Sequence, residues 1–171
     1  WLRGGGGPAV PVFKGGGVEG WRRFVFAWAG WGGWREGAAR GEGIVRFVLR
    51  AREESGGWAR RLSRTGAMLD PTADLYDLAF VVFALAWYGR LEGPSGQAVQ
   101  FARATLNWIV QAMSLPDGGF LNCLPDAGED RQQNPHLPLF EAVLALYQTT
   151  GAEKDFSLAH HLYELGRASL W

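Results

Sequence analysis

Residues 78–88, LAFVVFALAWY, are apolar at every position, whereas 94–113 alternate. In the second stretch Val99, Ala102, Leu106, Ile109, Val110 and Met113 recur at helical spacing, with Gln100, Arg103, Asn107 and Gln111 between them. That pattern predicts a helix with one wet face. A helix apolar all round, as 78–88 would be, needs cover on every side. Inner apolar helices surrounded by amphipathic ones satisfy both patterns. The alternation also recurs. FVFAWAG (24–30), FVVFALAWYG (80–89) and FEAVLALYQTTG (140–151) are three versions of the apolar type. IVRFVLRAREES, QAVQFARATLNWIVQAMS and KDFSLAHHLYELGRASL are three of the amphipathic type. GGW at 56–58 returns as GGF at 118–120, 62 residues later. The unit is an apolar helix, an amphipathic helix and a Gly-Gly-aromatic loop, stacked as helical hairpins stack in repeat proteins. The predicted fold is all-α, with about three hairpins and short β-hairpin excursions at one end. One such excursion turns at Arg64-Thr65-Gly66.

Polar groups collect where the apolar helices begin. One starts in DPTADLYD (70–77) and another in QQNPH (132–136). Parallel inner helices would bring these starts to one face, with their unpaired N–H groups and positive dipole ends directed at the same space. Such a mixture beside aromatic rings suits a small polar ligand. Plainer roles compete for each residue. Asp70, Asp74 and Asn134 have the character of helix caps. Tyr76 fits a core tyrosine equally well, and an isolated His136 is more often packed than catalytic. Glu141 lies one turn inside an apolar helix, where a buried carboxylate needs partners or a function. Pro138 lacks the N–H that would bond back to Asn134. The regular helix is therefore expected to start at Pro138, leaving Asn134 and His136 on a loop. His160 and His161 are adjacent on an amphipathic helix and are expected at the surface.

Composition narrows the function classes. The 171 residues suit one domain, and 47% apolar with 20% charged content marks a folded chain. Seventeen basic residues balance seventeen acidic ones, so charge gives no case for nucleic acid or an anionic membrane. Cys123 is the single cysteine, which rules out an internal disulfide or a cysteine metal cluster. No apolar run is long enough to span a bilayer, and a cytoplasmic setting is the default expectation. Residues 1–17 are glycine-rich without the Gly-Lys-Ser/Thr ending of a phosphate loop. They are expected to be poorly ordered or mis-framed from G-rich DNA, with a partial barrel domain over 18–171.

Two stretches, GGWARRLSRTGAMLDPTADLYDLAFVVFALAWYG and GGFLNCLPDAGEDRQQNPHLPLFEAVLALYQTTG, together resemble the N-acylglucosamine 2-epimerase family. That family also holds mannose isomerases and cellobiose 2-epimerases. Its pattern runs D-L-Y-D-[HQ]-A-F, then G-G-F, then Q-N-P-H-M-H-L-F-E-A with L-A-L-Y. The resemblance implies an (α/α)6 barrel of six hairpins, of which this chain supplies about half. It implies proton transfer at C1 or C2 of a sugar, either epimerising C2 or interconverting aldose and ketose, with no metal and no cofactor. Tyr76, Asn134, His136 and Glu141 match residues that would line the sugar pocket, and Arg22 lies beside the place of the family's pocket arginine. Leu78 and Pro138 stand where the family has a His or Gln and a second histidine. The main acid/base histidines of the family lie in the other half of the barrel, so the chain alone is expected to be inactive. A half ring would also leave apolar edges open to self-association, for instance as a homodimer. Two other functions compete. One is a non-catalytic sugar- or protein-binding member of the fold, as one protease-binding relative is. The other is a glycoside-processing enzyme with Asp74 and Glu141 as its carboxylate pair.

Overall fold

A helix with no wet face dictates its surroundings, and residues 75–92 are such a helix. The computed structural model describes residues 13–14, 49, 52, 56–63 and 67–169. It contains helices α1 (Leu75–Glu92), α2 (Gln97–Met113), α3 (Gln133–Thr150) and α4 (Glu153–Ser169). Short strands are β1 (Phe13–Lys14), β2 (Arg61–Leu62), β3 (Met68–Asp70), β4 (Ala73–Asp74) and β5 (Cys123–Leu124). The fold is predominantly helical, as the periodicity predicts, and α1/α2 and α3/α4 are two of the expected hairpins. The earlier hairpin predicted near 22–55 lies almost wholly outside the described residues.

Helix α1 packs against both α2 and α3. Leu75, Leu78, Val82 and Leu85 are each at most 1% exposed, and burying such a side chain stabilises by roughly 1.5–3 kcal/mol. The α1 N-terminus is capped by Asp74, whose Oδ1 accepts the Asp77 N–H at 3.1 Å. Helices α1 and α3 run parallel. Their starts meet through β4 and β5, which pair Asp74 with Cys123. Their ends meet where Arg90 donates to Gln148 Oε1 at 2.8 Å and Thr149 Oγ1 donates to the Ala86 carbonyl at 3.0 Å. Gly89 marks the tightest crossing, because a Cβ there would lie 2.5 Å from Val99 Cγ2 on α2. On α2 the buried stripe holds Ala102, Ile109 and Met113. Val110, assigned to that stripe by spacing, is 40% exposed. It lies 100° around the helix from Ile109, beyond the stripe's edge.

The sequence repeat is a structural one. Isolated bridges join Arg52 to Trp58 and Ser114 to Phe120, so each amphipathic segment closes onto the aromatic of its own Gly-Gly-aromatic loop. The first glycine of each loop has positive φ, +99° at Gly56 and +86° at Gly118. L-residues avoid that region. Each also abuts the next outer helix: a Cβ would lie 3.2 Å from Trp108 at Gly56 and 2.8 Å from His161 at Gly118. The Trp58 indole N–H donates to Thr105 Oγ1 on α2 at 2.7 Å.

Among the described residues are two small antiparallel sheets, in the orders β1-β2-β3 and β4-β5. β2 and β3 flank the predicted turn, whose residues 64–66 lie outside the described set. β1, Phe13–Lys14, pairs with β2, and the other residues of 1–17 lie outside the described set.

The outer helices α2 and α4 are tied by a buried ion pair. Arg103 meets Asp155 in a two-pronged contact at 3.1 and 2.9 Å. Asp155 is 3% exposed and also accepts from Thr150 Oγ1 at 2.9 Å. Asp155→Ala should destabilise the chain by about 3–5 kcal/mol, because it strands a guanidinium and a hydroxyl. Urea unfolding measures this, and a loss under about 1 kcal/mol would contradict the assignment.

Candidate functional site

The parallel inner helices bring their starts to one cavity of about 560 Å3. Tyr76 and Asp77 from α1, Asn134 and Pro135 from α3, and Asn122, Cys123 and Glu129 from the intervening loop line it. Arg60 and Asp74 complete its rim on the other side. Tyr76 is set at an edge-to-face angle against Phe80, with ring centroids 4.9 Å apart. That contact fixes the ring, and Tyr76 reaches the cavity from the first turn of α1.

Charge at the rim is largely paired. The Arg60 guanidinium lies 3.4 Å from Asp74 and 3.7 Å from Asp77. Glu129 Oε2 accepts from Gln132 Nε2 at 3.1 Å. Asp74 is thus both a helix cap and the partner of an arginine. Just outside the cavity, Arg131 lies over Gly119 and pairs with Asp117. The Gly119 N–H, and then Arg131, hold the Asp117 carboxyl below the usual carboxylate range. Asp70 is likewise lowered, chiefly by its hydrogen bond from the Thr72 N–H.

His136 sits beneath the cavity rather than on its lining, and is 4% exposed. Its two ring nitrogens have unlike partners. The Phe120 N–H donates to Nε2 at 3.2 Å, and Nδ1 lies 2.7 Å from the Gln132 carbonyl. A carbonyl can only accept and an N–H can only donate, so the ring is neutral with its proton on Nδ1. With both nitrogens engaged, His136 joins the Gly-Gly-Phe loop to the start of α3. Burial pushes its pKa below the ordinary 6.5.

One expectation is corrected. α3 starts at Gln133 with Gln132 as N-cap, so Pro138 is inside the helix and Asn134 and His136 are in its first turn. The His136 bond to the Gln132 carbonyl and the burial of Pro135 hold that turn despite the missing Pro138 N–H. Glu141 is exposed and lies outside the cavity lining. It lies one turn along α3 from Leu137, which is 39% exposed. An apolar sequence context therefore does not amount to burial at that position. Arg22 lies outside the described residues. His160 and His161 are exposed on α4, as expected, and His161 Nε2 donates to the Gly118 carbonyl at 2.8 Å.

Asn122, Arg60 and Glu129 were not anticipated from the sequence. A signal for two of them exists: Arg60 and Asn122 both stand two residues past the aromatic of GGW and GGF. Among the described residues no group of three or more His, Cys, Asp or Glu could hold a metal ion. No helix among them is long and apolar enough to cross a membrane.

Because folded His136 resists protonation, the unfolded chain binds the proton more readily. Stability should be complete above about pH 6.5 and fall as pH drops below it. The carboxylates of Asp70 and Asp117 add a second loss only below their ordinary 3.8. Urea midpoints between about pH 7.5 and pH 5.5, with an NMR titration of His136, measure the first effect. A midpoint that rises on acidification would refute it.

The profile of the family described as N-acylglucosamine 2-epimerase (GlcNAc 2-epimerase) matches residues 20–168. The fold is similar to that of cellobiose 2-epimerase from Spirochaeta thermophila, at 21% identity and TM-score 0.77, covering 88% of this chain and 42% of that one. It is similar to cellobiose 2-epimerase from Bacillus thermoamylovorans, at 19% identity and TM-score 0.81, covering 90% and 44%. A D-mannose isomerase matches at 23% identity and TM-score 0.73, covering 85% and 39%. The chain thus spans well under half the length of these proteins, and its helices correspond to part of an (α/α)6 barrel. No curated protein sequence matches.

Proposed function

Because the chain belongs to the N-acylglucosamine 2-epimerase family, we propose that it forms part of a carbohydrate isomerase or epimerase that moves a proton at C1 or C2 of a sugar. The observation that carries this is the convergence of Tyr76 and Asn134 on one cavity at the starts of two parallel helices. A phenol, a primary amide and backbone N–H groups match the hydroxyls of an uncharged sugar. Tyr76 and Asn134 are the proposed contacts, with Arg22 and Glu141 kept as further candidates. His136 supports them from below.

Proton transfer beside a carbonyl needs a base that titrates near neutrality. Among the described residues no histidine faces the cavity, since His136 is engaged at both nitrogens and His160 and His161 are on α4. The chain therefore supplies recognition, and the base comes from outside the described residues. Return of the proton to the opposite face would epimerise C2, and its delivery to C1 would interconvert aldose and ketose. A cytoplasmic setting fits the single cysteine.

The isolated chain should bind monosaccharides or disaccharides without turning them over. Ligand-observed NMR with mannose, N-acetylglucosamine and cellobiose tests binding, and Tyr76→Phe or Asn134→Ala should weaken it roughly tenfold. C2 epimerisation or mannose–fructose interconversion clearly above buffer would overturn the proposed division of labour.

The exposed Leu137 of α3 and the exposed Phe156 and Tyr163 of α4 also favour association of the isolated chain, in the simplest case as a homodimer. Light scattering should report a mass above that of one chain, and a monodisperse monomer would contradict it.

A further inference from the structure

Asn122, on the cavity lining, engages both ends of its side-chain amide and its own carbonyl. Its Nδ2 donates to the Asp130 carbonyl at 2.8 Å, and its Oδ1 accepts the Gln132 N–H at 3.0 Å. Its own carbonyl accepts the Leu75 N–H at 2.9 Å. Leu75 is the first residue of α1, and Gln132 is the N-cap of α3. One residue thus grips both helix starts. Tyr76 follows Leu75 directly, and Asn134 lies two residues past Gln132, so both proposed sugar contacts are within two residues of an Asn122 bond.

The same position does the same task one repeat earlier. Arg60 stands 62 residues before Asn122. It holds the start of α1 through Asp74 and Asp77, as Asn122 holds the start of α3 through Gln132. The chemistry differs, an ion pair in one repeat and an amide clamp in the other, while the place in the fold is conserved between them.

We infer that Asn122 is a positioning residue of the sugar pocket: it fixes the separation of Tyr76 and Asn134 by fastening the α3 start to the α1 start. The inference rests on the sugar-binding function proposed above. It requires no contact between Asn122 and the sugar.

The test compares Asn122→Ala, Asn122→Asp and a control on the full chain. The control is Ile109→Val or Ile109→Ala, whichever loses as much urea midpoint as Asn122→Ala. Ile109 is fully buried on α2, away from the cavity lining. Asn122→Ala should weaken binding of the best sugar among mannose, N-acetylglucosamine and cellobiose roughly tenfold or more, as misplaced contacts do. Asn122→Asp keeps the acceptor for Gln132 and loses the donor to Asp130, so its affinity should fall between. The Ile109 variant should bind as the parent does. Unchanged affinity in Asn122→Ala, or an equal loss in the control, overturns the inference. If the parent chain binds no sugar, the sugar reading fails separately, and geometry then decides. Asn122→Ala should still speed amide exchange at Gln132 and shift the side-chain NMR signals of Tyr76 and Asn134, and unmoved signals overturn the inference.

Discussion

A helix that is apolar on every side is stable only where every side is covered. α1 is that helix, and the arrangement of the rest follows from it. α2 covers one flank, α3 another, and Trp58 and Phe120, from two separate loops, join the same core. Covering two flanks with helices of matched length while joining them through β4 and β5 makes α1 and α3 parallel. Parallel neighbours have their N-termini side by side, and those termini carry unpaired N–H groups. The polar cavity is thus a by-product of burying an apolar helix. The groups that could not enter the core collect at the one end where water and ligand have access.

The frame was legible in the sequence because its determinants are local. An apolar run, a helical stripe and a Gly-Gly-aromatic triplet each have a physical meaning within a few residues, and the spacing of the triplets matched the spacing of the loops. Tyr76 and Asn134 were legible for the same reason, since a residue just after a helix start must lie at that end. What escaped was decided by contacts across the chain. Glu141 has an apolar neighbourhood in sequence and an exposed one in space, because burial there depends on a neighbour for that side of α3. His136 is occupied by the Phe120 N–H, a partner sixteen residues away that no local pattern announces. Asn122 and Arg60 sit in loops of unremarked composition. Only superposing the two repeats reveals their equivalence.

The ion pair of Arg103 and Asp155 and the bonds of His136 represent two ways of accommodating polarity in the interior. The first keeps full charges and surrounds them, with Thr150 completing the shell around the carboxylate. The second keeps the imidazole neutral and gives each nitrogen the partner its protonation state requires. The charged solution lies between outer helices and the neutral one under the cavity, where a free charge would compete with a ligand for the same dipoles.

The two repeats agree in their helices and differ in their connections. Sixteen residues separate Trp58 from the start of α1, and twelve separate Phe120 from the start of α3. The bridges and positive-φ glycines of the two loops nevertheless keep one common spacing. Helical framework and cavity wall are therefore separable. Insertions or deletions between the aromatic anchor and the next inner helix reshape the wall and leave the packing of helix on helix in place. A lineage built on this plan can reshape its cavity by editing loops, without repacking its helices against one another.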